Sequence, residues 1–349
     1  MVSLLPLAPI EAWFTRRGWT PMDFQRQCWQ AYLAGESGLL QVPTGSGKTY
    51  AAVMGPIAAM LADTCSGTPV EQAQAEATHA DGPTPPEPTR PSTGQKRRRS
   101  DARGGNAGEP EGLRLLVITP LRALSRDLAL AIEEPIREMG WPLRVAIRNG
   151  DTASHERSKQ LRRPPQILIT TPESLSVLLS NAAAPQLFAR LQAVVLDEWH
   201  ELMGSKRGSQ CELCLGWLRR LRPALRTWAI SATIGNLEEA ARAALGLADT
   251  EDLRPPGEPP LGSGTQPGPV ANAATTASAD TGRPAARLIS ARLKRDTAIR
   301  SLLPESIDGF PWGGHLGLRM YEELVAGLDP AVSTLLFTNT RNQAERWHQ

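Results

Sequence analysis

Short apolar runs alternate with longer amphipathic segments along most of the chain. Four apolar runs, at residues 113–120, 166–172, 193–198 and 227–233, have the length and the continuous apolar character of strands buried on both faces. Each of these runs ends in polar residues. The alternation predicts an α/β fold with a parallel sheet flanked by helices, in which the carboxyl ends of the strands carry the ligand-binding residues.

A glycine-rich segment, VPTGSGKT at residues 42–49, follows the apolar pair Leu39 and Leu40 and precedes a helical run, YAAVMGPIAAML. The order of strand, loop and helix is that of a phosphate-binding loop, although the general pattern begins with Gly where this chain has Val42. Backbone N–H groups at the start of the helix are expected to surround the β-phosphate of a nucleotide. The residues expected to supply these contacts are Thr44, Gly45, Ser46, Gly47 and Lys48.

Two side chains of this loop have further predicted roles. Lys48 supplies a cation for the β- and γ-phosphates, and the Thr49 hydroxyl is placed to bind Mg²⁺. ATP and Mg²⁺ are therefore the predicted cofactors.

Two acidic residues, Asp197 and Glu198, directly follow the apolar run AVVL. We expect Asp197 to hold Mg²⁺ through its water shell, and Glu198 to orient and deprotonate the water that attacks the γ-phosphate. A pair of acids at the end of a strand can equally be a solvated terminus, so the assignment depends on the motifs around it.

Two stretches, at residues 63–112 and 248–284, are rich in Pro, Gly, Ala, Ser and Thr and poor in large apolar residues, which predicts disorder. A first lobe is then expected over residues 1–62 and 113–247, and a second lobe is expected to begin over residues 285–349, with a strand at residues 334–341. The basic run from Lys96 to Arg99 in the first stretch is either a nucleic-acid contact or targeting signal, or a solvated charge run.

The overall charge excludes a global positive field, because 38 Lys and Arg face 36 Asp and Glu. Any contact with nucleic acid must therefore be local. No apolar run of membrane-spanning length and no secretory signal is visible, so we expect a cytoplasmic protein that does not bind a membrane. The pair Cys211 and Cys214 has the spacing of half a zinc site, or forms one apolar face of a helix.

Several motifs together resemble the DExH-box helicases of superfamily two. DEWH at residues 197–200 and SAT at residues 231–233 carry the first resemblance. With the other segments, the chain is similar to the large helicase-related (Lhr) group, and in particular to the ligase-associated DEXH-box helicases of the bacterial DNA-damage response. Those segments are GWTPMDFQRQCW, TPLRAL, RNGDT, TPESL, DEWHELMGSKRG, FPWGGHLG and LLFTNTRNQAERW.

The resemblance implies two RecA-like lobes that bind ATP between them, and it implies roles for individual residues. Gln25 would read the edge of the adenine. Arg122, Thr171 and the backbone amides near Pro172 and Glu173 would contact the phosphates of a nucleic-acid strand without reading its sequence.

The resemblance also implies a route from the hydrolysis site to the strand. His200 would link the hydrolysis site to the SAT motif, and Ser231, Ala232 and Thr233 would pass the presence of the γ-phosphate to the strand-binding face. Trp199 is expected to pack inward.

The implied activity is that of an ATP-dependent DNA helicase or translocase of 3′-to-5′ polarity in DNA repair. Single-stranded DNA, or DNA with a single-stranded overhang, would be its substrate, and an ATP-dependent DNA ligase and a nuclease its pathway partners. By the resemblance, motifs V and VI of the second lobe would lie beyond Gln349, so we expect the chain alone to bind ATP weakly and to hydrolyse it poorly. The alternatives are a non-catalytic nucleic-acid-binding fragment and an RNA helicase.

Overall fold

The structure is a computed structural model that describes residues 5–66, 112–247, 253–254, 286–291, 299, 301 and 320–348. The chain divides into two compact units, Met1–Leu293 and Lys294–Gln349. The basic run at residues 96–99 lies outside the described residues.

The first unit contains a parallel sheet of eight strands among the described residues. Its order is β3-β4-β2-β5-β6-β1-β8-β7. The strands are β1 Ser37–Gln41, β2 Leu115–Ile118, β3 Val145–Arg148, β4 Ile167–Thr170, β5 Ala193–Leu196, β6 Arg226–Ser231, β7 Leu253–Arg254 and β8 Ala286–Ser290. The four strands predicted from apolar runs, and the strand before the glycine-rich loop, are all confirmed.

Helices connect the strands and cover both faces of the sheet. They are α1 Ala8–Arg16, α2 Asp23–Leu33, α3 Lys48–Ser66, α4 Arg122–Met139, α5 Ser154–Arg162, α6 Pro172–Leu179, α7 Ala184–Leu187, α8 Trp199–Leu202, α9 Lys206–Leu221 and α10 Leu237–Leu245. The predicted α/β architecture is therefore confirmed. No helix in the described part of the chain is both long enough and apolar enough to span a bilayer.

Alternate residues of each strand enter two separate hydrophobic layers. Leu40 and Val195 pack with α1 to α4 on one face, and Leu39 and Leu196 pack with α6, α8, α9 and α10 on the other. Because both faces are covered, the strands are continuously apolar, which is why they were visible in the sequence.

Cys211 and Cys214 lie on α9, and both are buried in the second layer. The interpretation of this pair as an apolar helix face is confirmed. Trp199 also packs inward as predicted: it is fully buried, and its indole N–H donates a hydrogen bond of 3.0 Å to the Ala240 carbonyl.

The predicted limits of the first lobe are wrong on both sides. Helix α3 continues to Ser66, beyond the expected boundary at residue 62. Strand β8, assigned from the sequence to the second lobe, pairs with β1 of the first sheet. Strand β7, which falls in the stretch predicted to be a disordered linker, pairs with β8.

A buried ion pair connects β8 to the residue that precedes β1. The Arg287 guanidinium of β8 contacts the Glu36 carboxylate with N···O distances of 2.5 and 3.1 Å, and both side chains are almost fully buried. These partners are 251 residues apart in the chain, so no local pattern indicates the pairing.

The second unit contains helices α11 Tyr321–Ala326 and α12 Arg341–His348 in its described part. The strand predicted at residues 334–341 is wrong, since residues 334–340 are irregular and α12 begins at Arg341. Leu335 and Phe337 of this segment are 75% and 83% exposed. An apolar run forms a strand only where neighbouring strands pair with it, and the described residues of this unit provide none.

Candidate functional site

The glycine-rich loop leaves β1 and turns into the first residue of α3. Gly45 and Gly47 have φ angles of 73° and 79°, in the left-handed region that glycine adopts without steric cost. The Ser46 hydroxyl donates a hydrogen bond of 2.6 Å to the Pro43 carbonyl and holds the turn. Thr44 is exposed, whereas Lys48 is buried at the first position of α3, with Thr49 directly after it.

Gln25 is held against this loop from α2. Its side-chain oxygen accepts a hydrogen bond of 2.9 Å from the Met22 backbone N–H, and its side-chain nitrogen donates one of 3.0 Å to the Gly47 carbonyl. The side chain is buried. The structure thus brings together Gln25 and the glycine-rich loop, which are 22 residues apart in the chain.

The two acids follow β5, which is separated from β1 by β6 in the sheet. Lys48 spans this gap, because its Nζ donates a hydrogen bond of 2.6 Å to Glu198 Oε1. The second carboxylate oxygen, Glu198 Oε2, is buried and accepts no hydrogen bond from the described residues. A cation and a carboxylate from two different loops therefore meet at one point at the carboxyl end of the sheet.

Asp197 is the more deeply buried of the two acids. Burial, followed by the nearby charge of Glu198, raises its pKa from 3.8 to about 6. Glu198 has a φ angle of 45°, and it is the one residue other than glycine with a positive φ among those described. Such a conformation is uncommon for non-glycine residues and is found disproportionately at functional sites.

His200 connects the acids to the end of β6. Its Nδ1 lies 3.0 Å from the Ser231 hydroxyl and 3.5 Å from Glu198 Oε2, and its Nε2 lies 3.4 Å from Glu201 Oε1. Ser231 also borders the glycine-rich loop, since its carbonyl accepts a hydrogen bond of 3.0 Å from the Val42 N–H. Ala232 is half-buried and Thr233 is exposed. The histidine and the SAT motif are thus in direct contact.

The residues predicted to contact nucleic acid lie on the other half of the same sheet edge. Thr119 and Thr171 follow β2 and β4, which are neighbours in the sheet. Thr171 precedes α6, and Pro172 is the first residue of that helix. The two halves of the edge meet at β5, which carries Asp197 and Glu198 at its end and pairs with β2.

Arg122 begins α4, and its guanidinium forms an ion pair of 3.0 Å with Asp151. Both side chains are about 60% exposed, at 61% and 62%. Asp151 belongs to the RNGDT segment, so two motifs that are distant in sequence are adjacent at the surface. The motif was visible in the sequence, but its contact with Arg122 was not.

The Glu173 carboxylate is engaged by a residue to which the sequence assigned no role. Arg207, in the first turn of α9, donates hydrogen bonds to both of its carboxylate oxygens. Hydrogen bonding from Arg207 lowers the pKa of Glu173. The signal in the sequence was the segment SKRG after DEWH, which contains Arg207 but does not indicate which residue Arg207 contacts.

Comparison with known proteins gives the family. The profile of the DEAD/DEAH box helicases matches residues 22–240, which is more than half of the chain. The chain belongs to the DEAD/DEAH box helicase family. The matched range contains the whole cluster of residues described above, from Gln25 through the glycine-rich loop to the SAT motif.

Similar proteins include several helicases named Lhr. The ATP-dependent helicase Lhr-Core protein 2 of Thermococcus barophilus is 29% identical over 352 residues, which is 97% of this chain and 32% of the relative. The Lhr helicase/probable uracil glycosylase of Mycolicibacterium smegmatis is 31% identical over 257 residues, which is 70% of this chain and 14% of the relative. The chain thus spans about a third or less of the length of these relatives.

A solved structure has the same fold. The helicase Lhr of Mycobacterium smegmatis, bound to single-stranded DNA and AMP-PNP, superposes with a TM-score of 0.64 at 23% identity, over 98% of this chain and 35% of that one. This similarity confirms the RecA-like fold of the sheet. The resemblance to Lhr helicases recognised in the sequence is confirmed as well.

Proposed function

We propose that this helicase domain binds ATP with Mg²⁺ at the glycine-rich loop and couples ATP hydrolysis to movement along a DNA strand. The observation that carries the proposal is the contact between Lys48 and Glu198 at 2.6 Å. It joins a phosphate-type cation and a general-base-type carboxylate, from two motifs 150 residues apart.

The nucleotide is placed by the loop and by Gln25. The backbone N–H groups from Thr44 to Lys48 surround the phosphates at the N-terminus of α3, and Lys48 moves from Glu198 to the β- and γ-phosphates. Gln25 lies against Gly47, and we assign it the edge of the adenine on the family resemblance.

The residues present fit a magnesium ion. Thr49 and Asp197 supply the hard oxygen donors that Mg²⁺ prefers. The nearby Glu198 Oε2 is a buried acceptor that receives no hydrogen bond from the described residues, which suits a metal-bound water. Mg²⁺ supplies charge neutralisation for the phosphate oxygens.

Hydrolysis needs a base for the attacking water. Glu198 holds that water and accepts its proton once Lys48 has turned to the phosphates. His200 then reports on the occupied site, because it touches both Glu198 and Ser231.

A DNA strand lies over the ends of β2, β3 and β4 in this proposal. Arg122, Thr171 and the amides of the first turn of α6 contact its phosphates. Two solved helicases with this fold, Lhr and MrfA, are described as bound to DNA, at TM-scores of 0.64 and 0.51, which supports DNA as a partner. The helicase Mss116, at a TM-score of 0.50, is described as bound to single-stranded RNA, so the preference for DNA is proposed on the family resemblance. The 3′-to-5′ polarity, a role in repair, and a ligase and a nuclease as pathway partners are proposed on the family resemblance alone.

Calorimetry tests nucleotide binding. We expect the chain to take up Mg²⁺ with ATP or AMP-PNP, and to hydrolyse ATP slowly, with stimulation by single-stranded DNA. If no Mg²⁺-nucleotide binds even at millimolar concentration, the proposal is wrong.

Two variants separate the chemistry from the binding. Glu198→Gln should lower ATP turnover by about 10²- to 10⁴-fold while nucleotide affinity stays within a few-fold. Glu212→Gln, which changes an exposed acid of α9 away from the site, is the matched control and should turn over like the unmodified chain. If Glu198→Gln turned over ATP as fast as the unmodified chain, Glu198 would not be the base. If RNA outcompeted a DNA strand of the same sequence, the substrate would be RNA.

A further inference from the structure

Arg207 sits where three segments of the sheet edge meet. Its Nη2 donates a hydrogen bond of 2.5 Å to the Pro120 carbonyl, in the loop after β2. The same nitrogen lies 3.2 Å from Glu173 Oε2, and Nε contacts Glu173 Oε1, in the first turn of α6. One guanidinium therefore ties together the two loops that are proposed to contact the strand.

A short, hydrogen-bonded segment of the backbone connects Arg207 to the hydrolysis site. Helix α8 begins directly after Glu198 and ends at Leu202, whose carbonyl accepts a hydrogen bond of 2.6 Å from the Ser205 hydroxyl. The Ser205 side chain in turn caps α9, accepting a hydrogen bond of 3.1 Å from the Gly208 N–H. Gly208 packs so closely on the Leu202 carbonyl that a Cβ there would overlap it.

Arg207 also neutralises the charge of Glu173. A carboxylate in the first turn of α6 would repel the phosphates that the amides of that turn are proposed to attract. The Arg207 side chain is 38% exposed and that of Glu173 is 49% exposed, so both are at the surface where the strand would lie. The contact of two guanidinium nitrogens with both oxygens of Glu173 neutralises this carboxylate.

We propose that Arg207 is a positioning residue for nucleic acid: it holds the loop after β2 against the start of α6 and neutralises Glu173 at that edge. It acts through Pro120 and Glu173 and makes no contact with the strand itself. This inference rests on the proposed binding of DNA.

The test is strand affinity, measured by fluorescence anisotropy of a labelled oligothymidylate with the chain and AMP-PNP over a range of salt. We expect Arg207→Ala to weaken binding by about tenfold or more, because the Glu173 carboxylate is then no longer neutralised and repels the phosphates of the strand. Adding Glu173→Gln to Arg207→Ala removes that charge and should restore affinity to within about threefold, with an unchanged salt dependence. A role confined to overall stability predicts no such rescue.

Matched variants make the outcome decisive. Arg220→Ala removes the same charge from the exposed far end of α9 and should change affinity less than twofold. Arg207→Lys keeps the charge but cannot hold the carboxylate and the carbonyl together. Its affinity for the strand should therefore lie between that of the unmodified chain and that of Arg207→Ala, and it can be measured even if Arg207→Ala does not fold.

Three results would overturn the inference. The first is an unchanged affinity in Arg207→Ala, and the second is a double variant that binds as weakly as Arg207→Ala. In a third case, the salt slope of the double variant falls by about 0.7, the change for one lost phosphate contact on a single strand, so that Arg207 would contact the strand directly. If the unmodified chain does not bind the oligonucleotide, the proposed function fails, and this inference fails with it.

Discussion

Lys48 Nζ and Glu198 Oε1 are 2.6 Å apart, although β6 lies between β1 and β5, the strands that precede them in the chain. Their side chains are only 9% and 19% exposed, so the ion pair is largely shielded from water. In the proposed function, a nucleotide phosphate would compete with Glu198 for the same ammonium group, so nucleotide binding would free the carboxylate to act as the base.

Replacement of Lys48 by Met removes the ammonium group and retains most of the side-chain volume. We expect the affinity for Mg²⁺ and ATP to fall by about 100-fold or more, since a charge-assisted contact to two phosphates is lost. Calorimetric titration measures the change. Lys159→Met, at an exposed lysine of α5, is the control, and equal affinity in both variants would contradict the role of Lys48.

Replacement of Asp197 by Asn should stabilise the metal-free chain at neutral pH. The pKa of Asp197 is raised from 3.8 to about 6 in the fold, so the folded chain disfavours the ionised carboxyl. This loss of stability grows as the pH rises from about 4 to about 6 and is then constant. Two units of pKa correspond to at most about 3 kcal/mol.

Urea unfolding at two pH values tests the Asp197 prediction. In EDTA at about pH 7.5, the free energy of unfolding should be higher for Asp197→Asn, and the gain should shrink by about half at about pH 5. If the variant were less stable than the unmodified chain at about pH 7.5, burial of the ionised Asp197 carboxylate would not be what limits the stability of the fold there.

Two glycines of α9 should respond in opposite directions to alanine. Gly208→Ala places a Cβ against the Leu202 carbonyl and should cost about 1–3 kcal/mol of stability. At Gly216 a Cβ meets no atom within 4 Å, so Gly216→Ala should gain about 0.5–1 kcal/mol through helix propensity. Denaturant midpoints measure both, and a neutral Gly208→Ala would contradict the close approach of α9 to α8.

Three buried cysteines should resist alkylation in the native chain. Burial raises the pKa of Cys211 to about 12 and also raises the pKa of Cys28 and Cys214, so the reactive thiolate is scarce at about pH 8. Peptide mass spectrometry after brief iodoacetamide treatment should find these three unmodified, and modified when the chain is first unfolded in urea. Rapid native labelling of Cys211 would contradict its placement in the second layer.

The motifs could be located from the sequence because their physical requirements are local. A phosphate loop needs glycines, a lysine and a following helix within eight residues, and a buried parallel strand needs a continuous apolar run. Asp197 and Glu198 were assigned from their place at the end of such a run and from the motifs around them. The family resemblance then followed from the order of these short segments.

What the sequence determined by itself is five strands of the first sheet, β1, β2, β4, β5 and β6, and the motifs in the loops that follow them. Only the tertiary structure decided that Lys48 meets Glu198, that Arg207 holds Glu173 and that β8 joins β1 through Arg287 and Glu36. The physical reason is that these contacts depend on strand order and on side chains reaching across gaps in sequence of 34 to 251 residues. The failed strand at residues 334–341 has the same cause, since an apolar run becomes a strand only where another strand pairs with it.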